Sequence, residues 1–515
     1  MSATAASATQ SFGESGPASL ALATIGLSLG TFMQVLDLTI ANVSLPTIAG
    51  NLGVSQDQST WVITSFTVCQ AIMLPMTGFL SRRFGEVKVF LAAALLFTAF
   101  SLMCGLSTSL SMLVLFRALQ GAACGPMYPI TQSLMVSIYP RDKRAVALSI
   151  ITMITVVAPI VGPVAGGWIT DSYSWRWVFF INVPLGVFAV AVVFAQMGKR
   201  VEQLSKVRLD RVGLVSLILG VGALQILLDK GQDDDWFHSG LIVTLAIVAA
   251  ISLCVFVIWE LTEEKPLVDL RLLRHRNFAA GTLVMVLGYA LFFSVVLMLP
   301  LWLQNTLGYT ALWSGLAAAP LGFIPVLLTY WVGKYAHKFD LRWMASFSFV
   351  AIGFACFQLG GFDTDVNFGA VAFTELLMGL GMAFFFLPVL TITLSDLEGP
   401  EVAEGSGSST FLRTVGASFA VSIVTYLWAR GGDASHANLA DHINPFRPEV
   451  HQAIAAMGGH LQQYAVGINR IITQQATQIS FNHLFDGLAI GFFILIAVVW
   501  LAKPPFIARG GGGGH

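Results

Sequence analysis

The chain has 515 residues, of which 56% are hydrophobic and 11% are charged, and its mean hydropathy is +0.77. A soluble globular domain carries about 25% charged residues, so this composition excludes a soluble protein and indicates that most of the chain lies in lipid. The net charge of −1 gives no indication of a nucleic-acid partner.

Fourteen apolar stretches follow one another along the chain, divided by charge clusters and turn signals. A membrane-spanning helix needs about 20 predominantly apolar residues, and these stretches are continuous, whereas barrel strands alternate between apolar and polar residues. The predicted spans cover residues 20–45, 58–80, 89–107, 110–137, 145–169, 177–197, 212–229, 239–260, 277–303, 312–333, 343–361, 368–393, 406–429 and 483–502.

The basic residues indicate how these spans are oriented. When the loops are assigned alternately to the two sides, 20 of the 27 Lys and Arg residues fall on one side and five on the other. The remaining two, Arg117 and Arg413, lie inside predicted spans. Cytoplasmic loops are enriched in Lys and Arg, so we expect both chain termini to be cytoplasmic.

The spans group as six, two and six, which predicts an all-α, polytopic membrane protein. Its predicted parts are a cytoplasmic tail (1–19), a six-helix bundle (20–198), two additional helices with flanking basic loops (199–276), a second six-helix bundle that includes an outer segment at 431–481 (277–502), and a cytoplasmic Gly-rich tail (503–515).

The two bundles share a short sequence pattern. Gly78, after the second span, is followed by a basic residue five positions later and by Phe six positions later, and the same order follows Gly333, after the tenth span. Two such bundles, related by an axis along the membrane normal, form a transporter whose site lies between the halves near the bilayer midplane.

Asp37 is an acid placed deep within the first apolar stretch. Inserting a carboxylate at the bilayer centre costs about 2.5–3.5 kcal/mol of free energy on insertion scales, so such a residue is retained where it has a partner or a function. Proton uptake and release is the task most available to it, and Arg117 in the fourth span can bias its proton affinity. The sequence therefore predicts that Asp37 and Arg117 couple protons to transport; the alternative is a purely structural ion pair.

Other polar residues within the spans are less informative. Gln34, Asn42 and Gln120 are predicted to line the cavity. Glu375 and Asp486 open the twelfth and fourteenth spans, where wetted interfacial groups are expected, and Arg413 is expected to pair internally or to reach the inner interface.

The fifth span combines small residues with prolines. Ala158, Gly162 and Gly166 are spaced four apart on one helix face, which allows close backbone approach to another helix. Interleaved prolines each remove a helix hydrogen bond and favour a kink. The sequence predicts a tight packing hinge formed by Pro159, Gly162, Pro163, Gly166 and Gly167.

The chain shows no signs of enzymatic chemistry. It contains no phosphate-binding loop of the form Gly-x-x-x-x-Gly-Lys-Ser/Thr, no metal-ligand spacing and no nucleophile–base set, so we expect neither an enzyme nor a cofactor or metal. The five cysteines all fall within predicted spans and indicate no disulfide framework.

Four sequence motifs occur along the chain. They are Leu36-Asp37-x-Thr39-Ile40-x-Asn42-Val43-x-Leu45-Pro46-x-Ile48, Arg117-x-x-Gln120-Gly121, Gly162-Pro163-x-x-Gly166-Gly167 and Trp175-Arg176-Trp177-x-Phe179-x-Ile181-Asn182-x-Pro184-x-Gly186. Together these motifs resemble those of one transporter family, the fourteen-span drug:proton antiporters of the major facilitator superfamily. Among its members the chain looks most similar to the EmrB-type inner-membrane subunits of tripartite multidrug efflux pumps.

The resemblance implies the major facilitator fold, a bacterial inner-membrane location, a periplasmic EmrA-type adaptor and an outer-membrane TolC-type channel. It implies that the fifth-span element marks an antiporter. It also implies a cytoplasmic gate loop after the second span, formed by Gly78, Arg83, Gly85 and Lys88. Arg82 stands where the family usually has Asp, and Glu86 where it has Arg, which puts the acid-mediated gate contact in doubt.

The predicted function is therefore proton-driven export of hydrophobic or amphipathic toxic compounds. Two alternatives remain open: a narrower exporter, for example of fatty acids or a siderophore, and a membrane sensor that binds a ligand without moving it. The outer segment 431–481 is either a solvated loop or a docking surface for an external partner.

Overall fold

The computed structural model describes residues 17–140, 144–200, 204, 210–231, 236–264, 266–397, 400–442 and 461–506. In these parts the regular structure is helical, as predicted. The α-helices are α1 Pro17–Leu52, α2 Gln56–Ser59, α3 Trp61–Met73, α4 Thr77–Phe84, α5 Glu86–Gly105, α6 Leu110–Cys124, α7 Met127–Ile138, α8 Arg144–Ser172, α9 Trp177–Phe180, α10 Asn182–Met197, α11 Arg211–Lys230, α12 Gly240–Thr262, α13 Arg276–Asn305, α14 Ala311–Ala318, α15 Phe323–Tyr335, α16 Leu341–Gly360, α17 Phe368–Ala383, α18 Phe386–Leu394, α19 Pro400–His442 and α20 Leu461–Val499.

Candidate membrane-spanning helices coincide with thirteen of the fourteen predicted spans when the bent pair is counted. Among the described residues, twelve candidates are long and apolar enough to cross a membrane, and the pair α3–α4, bent by 58°, makes a thirteenth. Helix α8, with 29 residues, lies where the sequence predicts the fifth span. Several spans are built from two helices in sequence, for example α6 with α7 and α17 with α18.

The two bundles repeat the same close backbone contact. A Cβ atom on Gly121 of α6 would overlap the backbone carbonyl of Phe66 on α3, and a Cβ atom on Gly379 of α17 would overlap the carbonyl of Leu321. Phe66 and Leu321 are separated by 255 residues, the same distance along the chain as Gly78 and Gly333. The internal repeat therefore extends from the loop pattern to helix packing.

Each bundle has its own apolar core. In the N-terminal half the core includes the fully buried rings of Phe66, Phe90 and Phe97. In the C-terminal half, the indole of Trp302 stacks on Phe481, with ring centroids 4.3 Å apart. Separate cores allow each half to move as a unit.

The additional helices α11 and α12 pack on each other and contact both halves. Leu217 and Val221 of α11 lie in one apolar cluster with Ala71 of α3 and Phe411 of α19. The amide of Gln225 also donates a 2.9 Å hydrogen bond to Ser422 of α19.

The outer segment 431–481 is largely helical where the structure describes it. Helix α19 continues from its span to His442, and α20 begins at Leu461. Residues 443–460 lie outside the described part of the chain. The two helices are longer than the bilayer requires, since about 20 residues suffice to cross it.

Candidate functional site

Asp37 and Arg117 form a fully buried ion pair between α1 and α6. A guanidinium nitrogen of Arg117 hydrogen-bonds Asp37 Oδ2, and both side chains are 0% exposed. Arg117 also donates from Nε to the Val62 carbonyl and from a terminal nitrogen to Gln120 Oε1, each at 2.9 Å. Its guanidinium lies 4.2 Å from the centroid of the Phe66 ring. The cation is thus fixed by a carboxylate, two neutral acceptors and an aromatic face.

Two amides complete the environment of Asp37. Gln120 Nε2 donates to Asp37 Oδ1 at 3.1 Å, and Asn182 Nδ2, at the start of α10, donates to the same oxygen at 2.7 Å. Asn182 Nδ2 also lies 3.0 Å from the Ser101 hydroxyl on α5. A buried charge is tolerated where it is paired and hydrogen-bonded. The network therefore compensates the carboxylate and ties α1 to α5, α6 and α10.

The network also contains polar atoms without a partner. Among the described residues, Arg117 Nη2 and Asn182 Oδ1 make no hydrogen bond although both are buried. Buried polar groups are normally satisfied, and exceptions mark sites of strain, unseen water or function. Arg117 Nη2 and Asn182 Oδ1 therefore retain unused hydrogen-bonding capacity within the network.

The predicted cavity residues are distributed differently from the expectation. Gln120 belongs to the buried network. Gln34 is buried on α1 with Oε1 unpartnered among the described residues, and Asn42 is half-buried. Asn182 contacts Asp37 but was not predicted as a site residue; its signal was a lone amide within an apolar run of the Trp175–Gly186 motif.

The fifth-span element packs directly on the helix that carries Asp37. A Cβ atom on Gly162 would overlap Thr39 Oγ1, and one on Gly166 would lie 2.8 Å from Ile40 Cγ1. Gly167 is also buried, whereas the side chain of Pro159 lies outside the described part of the structure. Helix α8 continues through the element. Thr39 and Ile40 follow Asp37 by two and three residues. Movement of α1 at the network therefore displaces the residues that pack against α8.

The same element also meets the opposite half of the molecule. A Cβ atom on Gly315 of α14 would lie 2.7 Å from Val164 N and 2.8 Å from the carbonyl carbon of Pro163. The backbones of α8 and α14 are therefore in close contact, and the element lies between α1 and the C-terminal half.

A cavity lies between the two halves, and Arg413 faces it. The guanidinium lies 4.7 Å from the Tyr289 ring centroid, and it also contacts the rings of Tyr128 and Phe386. No described residue forms an ion pair with Arg413 or a hydrogen bond with its Nε, so the structure does not show the expected internal pairing. The cavity is lined by Tyr128, Gln132, Ile151 and Thr155 of the N-terminal half and by Met285, Phe386, Leu387, Leu390, Thr410 and Arg413 of the C-terminal half.

The predicted gate loop is largely helical: Gly78 and Arg83 lie within α4, Lys88 lies within α5, and Gly85 separates the two helices. Gly85 has φ = +92°, a conformation that favours glycine. It precedes the first residue of α5, which therefore begins without a side-chain cap. Gly78, Arg83 and Lys88 are all exposed. Glu86, which replaces the family's Arg, accepts a 2.7 Å hydrogen bond from the Ser133 hydroxyl on α7.

The chain matches known transporters over nearly its whole length. Residues 27–421 match the family described as Major Facilitator Superfamily. The chain is 46% identical over 502 residues to the multidrug export protein EmrB of Escherichia coli K12, covering 96% of this chain and 98% of that protein. It is 44% identical over 505 residues to the fatty acid resistance protein FarB of Neisseria gonorrhoeae, covering 97% and 98%.

Solved structures support the fold. A peptide transporter POT in complex with sulfate aligns with a TM-score of 0.61 at 14% identity, covering 94% of this chain and 96% of that chain. A bacterial homologue of the lysosomal transporter Spinster, in an inward-facing conformation, aligns with a TM-score of 0.57 at 13% identity, covering 95% and 100%.

Proposed function

Since the chain belongs to the major facilitator superfamily and, within it, to the EmrB-type multidrug exporters, we propose that it exchanges amphipathic compounds for protons through Asp37. The protein is a multi-pass membrane transporter. The buried Asp37–Arg117 pair is the single observation that carries the coupling proposal.

Protonation of Asp37 removes the charge that holds Arg117. The carboxyl then keeps its amide neighbours but loses the ion pair, so α1 is held less tightly to α6. Because α1 packs on Gly162 and Gly166 of α8, which contacts α14, loosening of α1 reaches the interface between the halves. Each entering proton supplies about 2.3 kcal/mol per 100 mV of membrane potential.

The substitution Asp37→Asn tests this proposal in proteoliposomes. We expect normal insertion and retained probe binding but loss of export driven by a proton gradient, because Asn does not titrate. Asp171→Asn, which alters an exposed acid at the end of α8, is the matched control. Full gradient-driven export by Asp37→Asn would overturn the assignment. Absence of any flux by the wild-type protein would favour the sensor alternative.

Arg413 favours a second, narrower candidate function. Arg413, unpaired among the described residues and next to aromatic rings, favours an anionic group, because an anion supplies the missing partner. FarB is named for fatty acid resistance, so export of fatty acids is the narrower alternative. The probes are anilinonaphthalene sulfonate, a permanent anion, and ethidium, a cation. Arg413→Gln should weaken export of the anion more than of the cation; equal losses would argue against selectivity at Arg413.

We propose that the protein lies in the bacterial inner membrane with both termini cytoplasmic and belongs to a tripartite assembly. The helical extensions of α19 and α20 support the assembly, because they offer a surface beyond the membrane-spanning part. They are the candidate contact for a periplasmic EmrA-type adaptor, which would connect to a TolC-type outer-membrane channel. Replacement of residues 433–470 by a short Gly/Ser linker should weaken co-purification of the adaptor. Undiminished co-purification would assign the contact to other surfaces.

A further inference from the structure

Glu375 is a second acid buried within a membrane-spanning helix, and its surroundings differ from those of Asp37. It lies on α17 and is 2% exposed, so the expectation of a wetted interfacial group was wrong. Its sequence position, two turns after the start of α17, placed it near a boundary, but α17 is enclosed there by α14, α15 and α16. Within the described chain, Glu375 makes no ion pair, and its Oε1 atom has no hydrogen-bond partner.

In the internal repeat, Glu375 occupies the position in the C-terminal half that Arg117 occupies in the N-terminal half. Gly121 and Gly379 make equivalent backbone contacts in the two halves, and Arg117 and Glu375 each precede that glycine by four residues. The offsets of 255 and 258 residues between equivalent positions place residues 292–295 of α13 level with Asp37, and none of these four residues is an acid or a base. The C-terminal half therefore has an acid at this level and no counterpart of the N-terminal cation.

Among the described side chains, the helices around α17 place no cation beside Glu375. Helix α14 and the 3-10 turn Ala319–Gly322 contain no ionisable residue. Cys356 of α16 is the ionisable group that faces it, while Arg342 of α16 and Lys334 of α15 lie towards the other ends of their helices. A bare carboxylate is strongly disfavoured in such a site, so this packing is compatible with the neutral, proton-carrying acid.

We propose that Glu375 is a second proton-binding site, occupied in the packed arrangement of α17 and emptied when that helix separates from α14 and α16. The proposal rests on proton-driven export through Asp37. The proton bound by the Glu375 carboxylate is released to water as the C-terminal half opens, and it is replaced when water next reaches the carboxylate from the other side.

A chain of close contacts connects the two acids. Thr39 and Ile40 beside Asp37 contact α8, Pro163 of α8 contacts Gly315 of α14, and Leu321 after α14 contacts Gly379, one turn from Glu375. Rearrangement at either acid therefore changes the packing of the same interface.

The test compares Glu375→Gln with the wild-type protein in proteoliposomes. The membrane potential is clamped at zero, a pH gradient of one unit is imposed, and the steady-state accumulation of anilinonaphthalene sulfonate is measured. Each coupled proton contributes about tenfold to the accumulation limit under these conditions. We expect Glu375→Gln to lower the limit about tenfold while insertion and thermal stability are retained, and Glu375→Asp to restore part of it. Asp363→Asn, an exposed acid, is the control.

The possible outcomes separate this proposal from the function of Asp37. An unchanged accumulation limit in Glu375→Gln, with Asp37→Asn inactive, overturns the second site alone. Equal losses of gradient-driven uptake and of exchange without a gradient would show a structural role and also overturn it. If Glu375→Gln fails to insert, the readout is proton release on addition of the probe to purified Asp37→Asn protein: release supports the second site, and its absence overturns it.

Discussion

The two halves of the transporter share helix packing but differ in whether a buried acid is paired with a cation. In the N-terminal half, Asp37 and Arg117 compensate each other, and Gln120 and Asn182 add hydrogen bonds. In the C-terminal half, Glu375 has no compensating cation among the described residues. The backbone contacts that bring the helices together are repeated, whereas the side chains at equivalent positions have diverged.

The two kinds of buried acid make helix packing depend on protonation in different ways. A paired acid holds helices together when charged and releases them when protonated. A lone acid is compatible with close packing only when protonated, so it favours separation when it loses its proton. If both acids bind protons as proposed, proton uptake loosens the first half and favours packing of the second, which suits a cycle in which the halves alternate.

The largest expected effect comes from removing the cation of the N-terminal pair. Arg117→Met leaves Asp37 buried without a counter-charge, which costs about 3–5 kcal/mol, whereas Glu375→Met should cost little because Glu375 has no partner to orphan. Thermal unfolding of the two purified variants measures the contrast. The double variant Asp37→Leu/Arg117→Met should recover much of the loss. Equal destabilisation by Arg117→Met and Glu375→Met would break the comparison.

An effect of intermediate size is expected at the close glycine contact that the two halves share. Gly121→Ala and Gly379→Ala each push a Cβ atom into a backbone carbonyl, and overpacking of this kind costs about 1–3 kcal/mol. The two losses of unfolding free energy should be similar. Gly222→Ala, where nothing lies within 4 Å of the added Cβ atom, is the control. A loss in one half only would show that the repeat does not extend to packing energetics.

The smallest expected effect concerns the N-terminal ends of two equivalent helices, α5 and α16. Helix α5 begins after Gly85 without a side-chain cap, whereas the Asp340 side chain accepts a hydrogen bond from Arg342 N at the start of α16. Asp340→Ala should cost about 0.5–2 kcal/mol, measured as a lowered Tm, and Asp365→Ala serves as an exposed control.

The Asp340 cap should also depend on pH. The Arg342 guanidinium, hydrogen-bonded to Asp340, lowers the pKa of that carboxyl below its ordinary value of 3.8. The charged cap therefore stabilises the protein fully above the unfolded-state pKa, and this contribution is lost as the pH falls through the lower folded-state pKa. The Tm difference between wild type and Asp340→Ala should be constant at neutral pH and shrink below about pH 4. A difference that persists at lower pH would contradict this origin.

The sequence was sufficient for features that depend on local composition. The spans follow from apolar length, and Asp37 and Arg117 stood out because charges within spans are rare. Asn182 was overlooked because its role depends on the approach of α10 to α1, 145 residues apart. Glu375 was misplaced because distance from a helix end does not reveal which neighbours cover it. A Gln-rich helical pattern within 461–481 was visible in the sequence, but the continuity of 431–442 and 461–481 with the adjacent spans was not, because their composition is polar.

Helix α19 is assigned as one helix from Pro400 to His442, with Arg413 at the cavity and its far end beyond the span. At 1.5 Å per residue, about 43 Å of helix separate Arg413 from His442. A stiff rod of that length acts as a lever: a tilt of about 10° at the cavity moves the far end by about 8 Å. Any tilt of α19 at the cavity is thereby amplified into a larger displacement at His442.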